Sequence, residues 1–229
     1  SGYLPHPRPR AAYAAMISDL DRHVGKVVEK LRAVGILDDT LIVFTSDNGT
    51  THSGKDPQFG IGGVDAAFFQ STRGLKGFKG SVNEGGLRVP MLVRYPKAVK
   101  AGTVSDAPGY FADWFPTLIE ACALKPRGHL DGESLWPIMT TQSAPTSRKP
   151  MIWAFPEYGG QVAVRMDHFK ILRRALNSKK PGDWEVYNIT QDQGESHNLA
   201  SEQAALVQQA EKILAEEISE NPVFPVTWR

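Results

Sequence analysis

The stretch Thr40–Gly49, TLIVFTSDNG, is the part of the sequence that decides the fold. Leu41–Thr45 is an unbroken apolar and β-branched run, which is typical of a strand buried on both faces of a parallel sheet. The short polar residues and glycine that follow predict a turn. Ligands of open α/β sheets bind where strands end, and oxygen ligands suit Ca²⁺ or Mg²⁺, so Asp47 and Asn48 are candidate metal ligands. An ordinary Asp-Asn-Gly turn is the alternative interpretation.

The segments on either side of this stretch predict helices and a second strand. Apolar residues recur every three or four positions from Ala11 to Val34, which predicts an amphipathic helix. Pro90–Tyr95 predicts a short strand, and Phe111–Leu124 predicts another helix with Cys122 packed on its apolar side. We therefore expect an α/β fold in residues 1–139, with part of a doubly wound mixed sheet flanked by helices.

The pattern changes after residue 139. Thr140–Lys149 is polar and predicts a linker or surface loop. Beyond it lie four short runs typical of strands: 151–155, 161–165, 168–172 and 184–187. Closely spaced short strands favour an antiparallel sheet, and Gln203–Ile218 predicts a final helix. Residues 140–229 are thus expected to form a small antiparallel sheet with a packed helix.

Composition excludes several classes of site and partner. The 229 residues carry 26 basic and 25 acidic side chains, a net charge of +1, so we expect neither nucleic acid nor an anionic membrane as partner. A single cysteine excludes an internal disulfide and a cysteine-rich zinc site. We expect no membrane-spanning segment and see no signal-peptide pattern. From the polar, proline-rich start we expect either the middle of a longer polypeptide or a remnant of cloning, rather than a natural beginning.

A second informative block runs from Gly74 to Pro90. Its lysines, Lys76 and Lys79, are flanked by glycines, whose small size lets an anion approach closely. A lysine ammonium is a compact charge suited to a sulfate or phosphate oxygen. The sequence Glu84-Gly85-Gly86 predicts a tight turn where backbone amides could converge. A solvated basic loop is the alternative interpretation of this block.

Taken in order, these motifs resemble the second half of the type I, formylglycine-dependent sulfatases, or arylsulfatases, of the alkaline phosphatase superfamily. The resemblance covers nearly the whole chain. The segments that carry it are Ser46–Gly49, Lys79, Glu84–Pro90, Asp113–Leu118, Asp131–Leu135 and Glu195–Ala200. Several independent motifs in the family's order are more specific than any one of them.

The resemblance implies a role for particular residues. Asp47 and Asn48 match the family's Asp-Asn pair, which completes a Ca²⁺ site beside the catalytic aldehyde. Lys79 matches the lysine that contacts the sulfate group and steadies the leaving oxygen. His52 stands near a substrate-contacting histidine of some members, with one residue more in the spacing, and a solvated loop histidine is the alternative. A periplasmic or secreted location is implied as well.

Parts of the family's site have no counterpart in this sequence. The Cys/Ser-x-Pro-x-Arg motif that yields formylglycine is absent, and so is the N-terminal pair of metal-binding aspartates. We therefore expect the C-terminal portion of a sulfatase that hydrolyses aryl or carbohydrate sulfate esters, with the Ca²⁺-bound formylglycine on a missing N-terminal portion. Alone, the chain should be inactive. The alternatives are a phosphodiesterase or phosphonate hydrolase of the same superfamily, and a non-catalytic remnant that binds sulfated glycans.

Overall fold

The computed structural model describes residues 7–51, 64–141, 147–219, 221–226 and 228. The helices are α1 Pro9–Ala33, α2 Glu84–Leu87, α3 Trp114–Ala121, α4 Trp136–Thr141 and α5 Ala204–Glu217. The strands are β1 Ile42–Thr45, β2 Met91–Arg94, β3 Met151–Phe155, β4 Gln161–Met166, β5 Phe169–Arg174 and β6 Glu185–Asn188. The predicted α/β class is confirmed.

Contacts group the chain into two compact units, Ser1–Lys97 (unit 1) and Ala98–Arg229 (unit 2). The division predicted from the sequence, 1–139 and 140–229, rests instead on the change from long elements to short strands. That division stays a prediction.

Unit 1 contains α1 and a two-stranded sheet. The apolar period predicted α1 well, because the helix ends one residue before Val34, yet none of its side chains is buried. β1 and β2 pair antiparallel, with Ile42 opposite Arg94. The expectation of a strand buried on both faces of a parallel sheet is therefore wrong for the described residues. Within the described part of the chain, β1 pairs with one antiparallel strand, and the residues of β1 are only partly buried.

Unit 2 contains the apolar core. Its strands form a four-stranded antiparallel sheet in the order β3-β4-β5-β6, as predicted. Val164 lies opposite Ile171, and Ile171 opposite Val186, so three buried side chains lie across one face. Ala210 and Leu214 of α5 belong to the same buried cluster. The sheet and helix together hold this part of the chain by apolar burial.

A buried carboxylate organises the turns around α3. Asp113 is fully buried and accepts hydrogen bonds from the backbone nitrogens of Tyr110 (3.0 Å) and Glu133 (2.8 Å). Its two carboxylate oxygens also accept from Nη2 of Arg148, each at 3.0 Å. The charge is thus paired and hydrogen-bonded, which burial of a carboxylate requires. Arg148 comes from the predicted linker, which therefore contributes an anchor.

The helix over residues 111–124 differs from its prediction. A 3-10 turn, Phe111–Asp113, precedes α3, which ends at Ala121. The prediction that Cys122 is a packed core thiol is wrong, because this residue is exposed just beyond the helix end. Phe115 on the predicted apolar side is exposed as well.

Among the described residues, no helix is long and apolar enough to cross a bilayer.

Candidate functional site

Asp47 and Asn48 lie in the turn that follows β1. The apolar run of β1 stops at Thr45, and the side-chain oxygen of Ser46 donates a hydrogen bond to the carbonyl oxygen of Asn48 at 2.9 Å. This contact closes the turn over Asp47. Asp47 is exposed and Asn48 partly buried, so both polar side chains remain near the surface.

The segment from Lys76 to Gly86 forms a compact loop that carries Lys79. Oγ of Ser81 donates to Oδ1 of Asn83 at 2.9 Å and accepts from the backbone nitrogen of Asn83 at 3.1 Å. Asn83 is buried, and its Nδ2 atom meets no acceptor among the described residues. From Glu84 onward the segment forms the single helical turn α2. These contacts anchor the loop at Ser81 and Asn83, just after Lys79 in the sequence, whereas Lys79 itself is exposed.

Backbone hydrogen bonds join the turn to the loop. The nitrogen of Gly49 donates to the carbonyl oxygen of Gly86 at 2.8 Å, and the nitrogen of Lys79 donates to the carbonyl oxygen of Thr50 at 2.8 Å. Asp47, Asn48 and Lys79 are therefore carried by two segments that contact each other directly.

Glycine is required where these segments meet. A Cβ atom on Gly49 would overlap the carbonyl oxygen of Gly85. A Cβ atom on Gly85 would in turn overlap the carbonyl oxygen of Gly77. Because backbone atoms on the opposing side cannot rotate away, only glycine permits this approach without displacing the chain.

The structure brings together three of the four predicted site residues. Asp47, Asn48 and Lys79 lie on two segments of unit 1 that are hydrogen-bonded to each other, whereas His52 lies outside the described residues. The anchoring pair Ser81 and Asn83 was not predicted from the sequence. Their Ser-x-Asn spacing was a usable signal, since such side chains hydrogen-bond to the backbone two residues away.

The oxygen donors of Asp47 and Asn48 fit Ca²⁺ in kind but not in number. A carboxylate and an amide oxygen are ligands that this ion prefers, but it takes six to eight oxygens. Asp47 and Asn48 can supply only a minority of them. In the part of the chain that the structure describes, no group of three or more His, Cys, Asp or Glu side chains could hold a metal ion. Asp47 and Asn48 by themselves therefore supply too few oxygen ligands for a complete Ca²⁺ site.

Two protein families match long segments of this chain. The family described as Sulfatase matches residues 4–123, just over half of the chain. The chain belongs to the sulfatase family. A second family, described as N-sulphoglucosamine sulphohydrolase, C-terminal, matches residues 78–221 of this sulfatase chain. The site turn lies in the first match, and Lys79 lies in both, so the resemblance seen in the motifs is confirmed.

The relatives are much longer than this sulfatase chain. Arylsulfatase K of Danio rerio is 29% identical over 211 residues, which are 90% of this chain and 36% of that protein. N-acetylglucosamine-6-O-sulfatase of Bacteroides thetaiotaomicron is 27% identical, over 82% of this chain and 31% of that protein. The solved structure of Ps i-CgsB in complex with k-i-k-neocarrahexaose is 34% identical, with a TM-score of 0.72. It matches 90% of this chain and 43% of its own.

Proposed function

We propose that this chain supplies part of the active site of a sulfatase, an enzyme that hydrolyses sulfate esters. The contact between the Asp47-Asn48 turn and the Lys79 loop is the observation that carries the proposal. The rest of the site, including the nucleophile, comes from an N-terminal portion of the sulfatase domain. The completed protein denotes this chain together with that portion, on one polypeptide or as two.

Lys79 has the chemistry that this reaction needs. When a sulfate ester is hydrolysed, the S–O bond breaks and the alcohol or phenol oxygen leaves with developing negative charge. A preorganised cation lowers the cost of that charge in a site shielded from water. Lys79 is exposed, so its ammonium group is accessible to a substrate. The hydrogen bond from its backbone nitrogen to the carbonyl oxygen of Thr50 fixes its backbone beside the segment that follows Asn48. Lys79 is thus the residue proposed to contact the sulfate group.

Asp47 and Asn48 are proposed as two ligands of a Ca²⁺ ion. The ion would offset the negative charge of the sulfate group and of the nucleophile. Other ligands and the formylglycine nucleophile would come from the N-terminal portion. What this chain contributes is the turn after β1, which presents a carboxylate and an amide oxygen side by side.

The substrate class is inferred from relatives. Two proteins similar over most of the chain are named Arylsulfatase K and N-acetylglucosamine-6-O-sulfatase. Aryl or carbohydrate sulfates are therefore the substrates to test first.

A specific observation supports a second candidate function. The phosphonate monoester hydrolase of Agrobacterium radiobacter matches 93% of this chain and 44% of its own, at 26% identity and a TM-score of 0.62. An Asp-Asn pair and a lysine can serve a phosphoryl group as well as a sulfuryl group, since both are tetrahedral and anionic. Phosphonate or phosphate ester hydrolysis is therefore the alternative reaction.

Hydrolysis rates on matched esters separate these candidates. We expect the completed protein, supplied with Ca²⁺, to cleave nitrophenyl sulfate faster than bis-nitrophenyl phosphate or a nitrophenyl phosphonate. A preference for the phosphorus esters would establish the alternative reaction. If no sulfate ester, aryl or carbohydrate, were cleaved, the sulfatase proposal would be wrong.

The non-catalytic alternative is tested on this chain alone. If the chain is a non-catalytic module that binds sulfated glycans, it should bind a heparin oligosaccharide without the N-terminal portion. Lys79→Ala should then abolish that binding. The sulfatase proposal expects no such binding by the isolated chain, because most of the pocket is not in it.

A further inference from the structure

The turn between β3 and β4 carries a tyrosine in a backbone conformation that tyrosine rarely adopts. Tyr158 has a φ of 51°, and the two glycines that follow it, Gly159 and Gly160, have φ of 88° and 76°. A bulky side chain at positive φ strains the backbone, and strained positions of this kind cluster at ligand-binding sites. The residue is also 69% exposed, so its ring does not fill a core. Packing within the protein therefore does not explain a tyrosine at this position.

Hydrogen bonds from the loop after β5 hold this turn in place. The backbone nitrogen of Asn177 donates to the carbonyl oxygen of Gly159 at 2.8 Å, and that of Leu176 donates to the carbonyl oxygen of Gly160 at 3.1 Å. Nδ2 of Asn177 also donates to the carbonyl oxygen of Pro156 at 3.1 Å. The turn is thus fixed before any ligand arrives, which lowers the entropy cost of binding.

A second aromatic ring packs on one face of Tyr158. The rings of Phe155 and Tyr158 are stacked, with their centroids 5.7 Å apart and an angle of 22° between their planes. Phe155 belongs to β3, the edge strand of the four-stranded sheet. Because Phe155 covers one face of the Tyr158 ring, the high exposure of Tyr158 leaves the other face to solvent. We term this stacked pair the aromatic platform.

Two lysines lie on the loop that holds the turn. Lys179 and Lys180 follow Asn177 within three residues, and both are exposed. The two hydrogen-bonded loops, residues 156–160 and 175–182, carry these two lysines and one carboxylate, Glu157, which gives them a net charge of +1. Their charge therefore favours an anionic ligand.

A ring face beside lysines fits the chemistry of a sulfated sugar. The C–H groups on one side of a pyranose ring carry a weak positive charge and pack on the negative face of an aromatic ring. A lysine ammonium is a compact charge suited to a sulfate oxygen. A neutral sugar would leave the lysines without a role, and a small inorganic anion would leave the ring without one.

We propose that the aromatic platform, Lys179 and Lys180 form a saccharide subsite of unit 2, which binds a sulfated sugar residue of an oligosaccharide. The subsite binds and does not itself hydrolyse. That the oligosaccharide is a substrate of this protein rests on the proposed function. The inference deepens that function, because it selects carbohydrate sulfates rather than simple aryl sulfates as the substrate class.

Equilibrium binding of sulfated hexasaccharides tests the aromatic platform. The probes are hexasaccharides of heparin, chondroitin sulfate and carrageenan, and the dissociation constant is measured by calorimetry. The completed protein carries Lys79→Ala in every sample, so that hydrolysis does not consume the ligand. We expect Tyr158→Ala to raise the dissociation constant of the probe that binds best at least about fivefold, because the ring face is lost. Phe111→Ala removes another aromatic ring of unit 2, 55% exposed, and should leave binding unchanged.

Lysine variants test the charge of the subsite. Lys179→Ala combined with Lys180→Ala should weaken binding of the sulfated hexasaccharide at least about fivefold, and should not affect binding of its desulfated form. Lys100→Ala combined with Lys125→Ala removes the same charge at exposed positions of unit 2 and is the matched control.

A glycine variant separates a binding role of Tyr158 from a structural one. Glycine adopts positive φ without strain, so Tyr158→Gly should unfold at a urea concentration no lower than the wild type does. Its binding should be as weak as that of Tyr158→Ala. Tyr158→Phe keeps the ring and should bind like the wild type.

Each outcome supports or overturns the subsite. Unchanged binding by Tyr158→Gly, equal weakening by Tyr158→Ala and Phe111→Ala, or binding of none of the three hexasaccharides would overturn it. Equal binding of the sulfated and desulfated forms would refute the sulfated sugar as ligand.

Rates keep this inference separate from the proposed function. In the completed protein with Lys79 intact, Tyr158→Ala should raise KM for the sulfated hexasaccharide and leave kcat/KM for nitrophenyl sulfate unchanged. Binding that depends on Tyr158, without hydrolysis of any sulfate ester, would keep the subsite and refute the proposed function. Hydrolysis of nitrophenyl sulfate without binding of any hexasaccharide would do the reverse.

Discussion

Gly49 and Gly85 are the residues that allow the two site segments to meet. Their α-carbons approach opposing carbonyl oxygens too closely for any side chain. The position of the loop that carries Lys79 therefore depends on two glycines that have no side chain to take part in catalysis. Their role was hard to derive from the sequence, because glycines recur throughout this part of the chain. A local pattern indicates that a turn is present but not which carbonyl group faces it.

A pair of glycine substitutions tests this steric requirement. Gly85→Ala should destabilise unit 1 by about 2 kcal/mol, since the added methyl group forces a backbone shift. Gly25→Ala is the control, because a Cβ atom there meets nothing within 4 Å and alanine favours a helix. Hydrogen exchange of β1 amides in the completed protein measures both. Equal protection in the two variants would contradict the close approach.

We expect the stability of unit 2 to depend on the buried carboxylate of Asp113 more than on an exposed ion pair. Asp113→Ala removes a buried acceptor and leaves Arg148, whose side chain is only 12% exposed, without its carboxylate. We expect a loss of about 3–5 kcal/mol in the free energy of unfolding. Glu216→Ala, which removes one partner of an exposed pair on α5, should change it by less than about 1 kcal/mol.

Urea unfolding followed by tryptophan fluorescence is the measurement for both substitutions. If Asp113→Ala and Glu216→Ala cost the same, the buried carboxylate would not be an anchor.

Acid should weaken the turn that follows β6. Hydrogen bonds from the backbone nitrogen of His197, and then from Ser196, lower the pKa of Asp192 below its ordinary value. Because the folded pKa is the lower one, the carboxylate stabilises the fold above its unfolded pKa, near 3.9. That contribution is lost as the pH falls through the folded pKa.

Comparison of urea unfolding at pH 7 and pH 3 checks the effect of Asp192. We expect the wild type to lose more stability between these values than Asp192→Asn does. An equal loss in both proteins would show that Asp192 does not contribute.

The elements could be predicted from the sequence where their packing lies within the chain. Periodicity located α1, α5 and the four strands of unit 2, because those patterns report local geometry. Periodicity also placed β1 correctly, but the parallel neighbouring strands that were predicted for β1 are not among the described residues. Cys122 was predicted to be a core residue because it follows an apolar pattern, yet it is exposed. Such a pattern indicates that a helix face is apolar but not which element packs against it.

Among the described residues, unit 2 has a buried apolar cluster formed by its sheet and α5, whereas α1, β1 and β2 of unit 1 contain no fully buried residue. All five tryptophans lie in unit 2, at positions 114, 136, 153, 184 and 228, so their fluorescence reports that unit alone. The 25 residues of α1, in contrast, belong to unit 1. In the isolated chain we expect helical circular dichroism to begin falling at a lower urea concentration than tryptophan fluorescence changes.

Coincidence of the two signals is the standard sign of a single cooperative transition. We expect the completed protein to show it, because further contacts to the exposed apolar residues of α1 would stabilise unit 1. Coincident transitions in the isolated chain would instead mean that unit 1 is as stable as unit 2 without any partner.

The central claim, that this chain brings Lys79 and the Asp47-Asn48 turn to a sulfatase active site, is tested most directly by one rate. The measurement is kcat/KM of the completed protein on nitrophenyl sulfate, in the wild type and in two lysine variants. Lys100→Ala, at an exposed lysine outside the site, should leave the rate unchanged. Lys79→Ala should lower it at least about 100-fold, because the leaving oxygen loses its cation. Hydrolysis by Lys79→Ala at the wild-type rate would contradict the account.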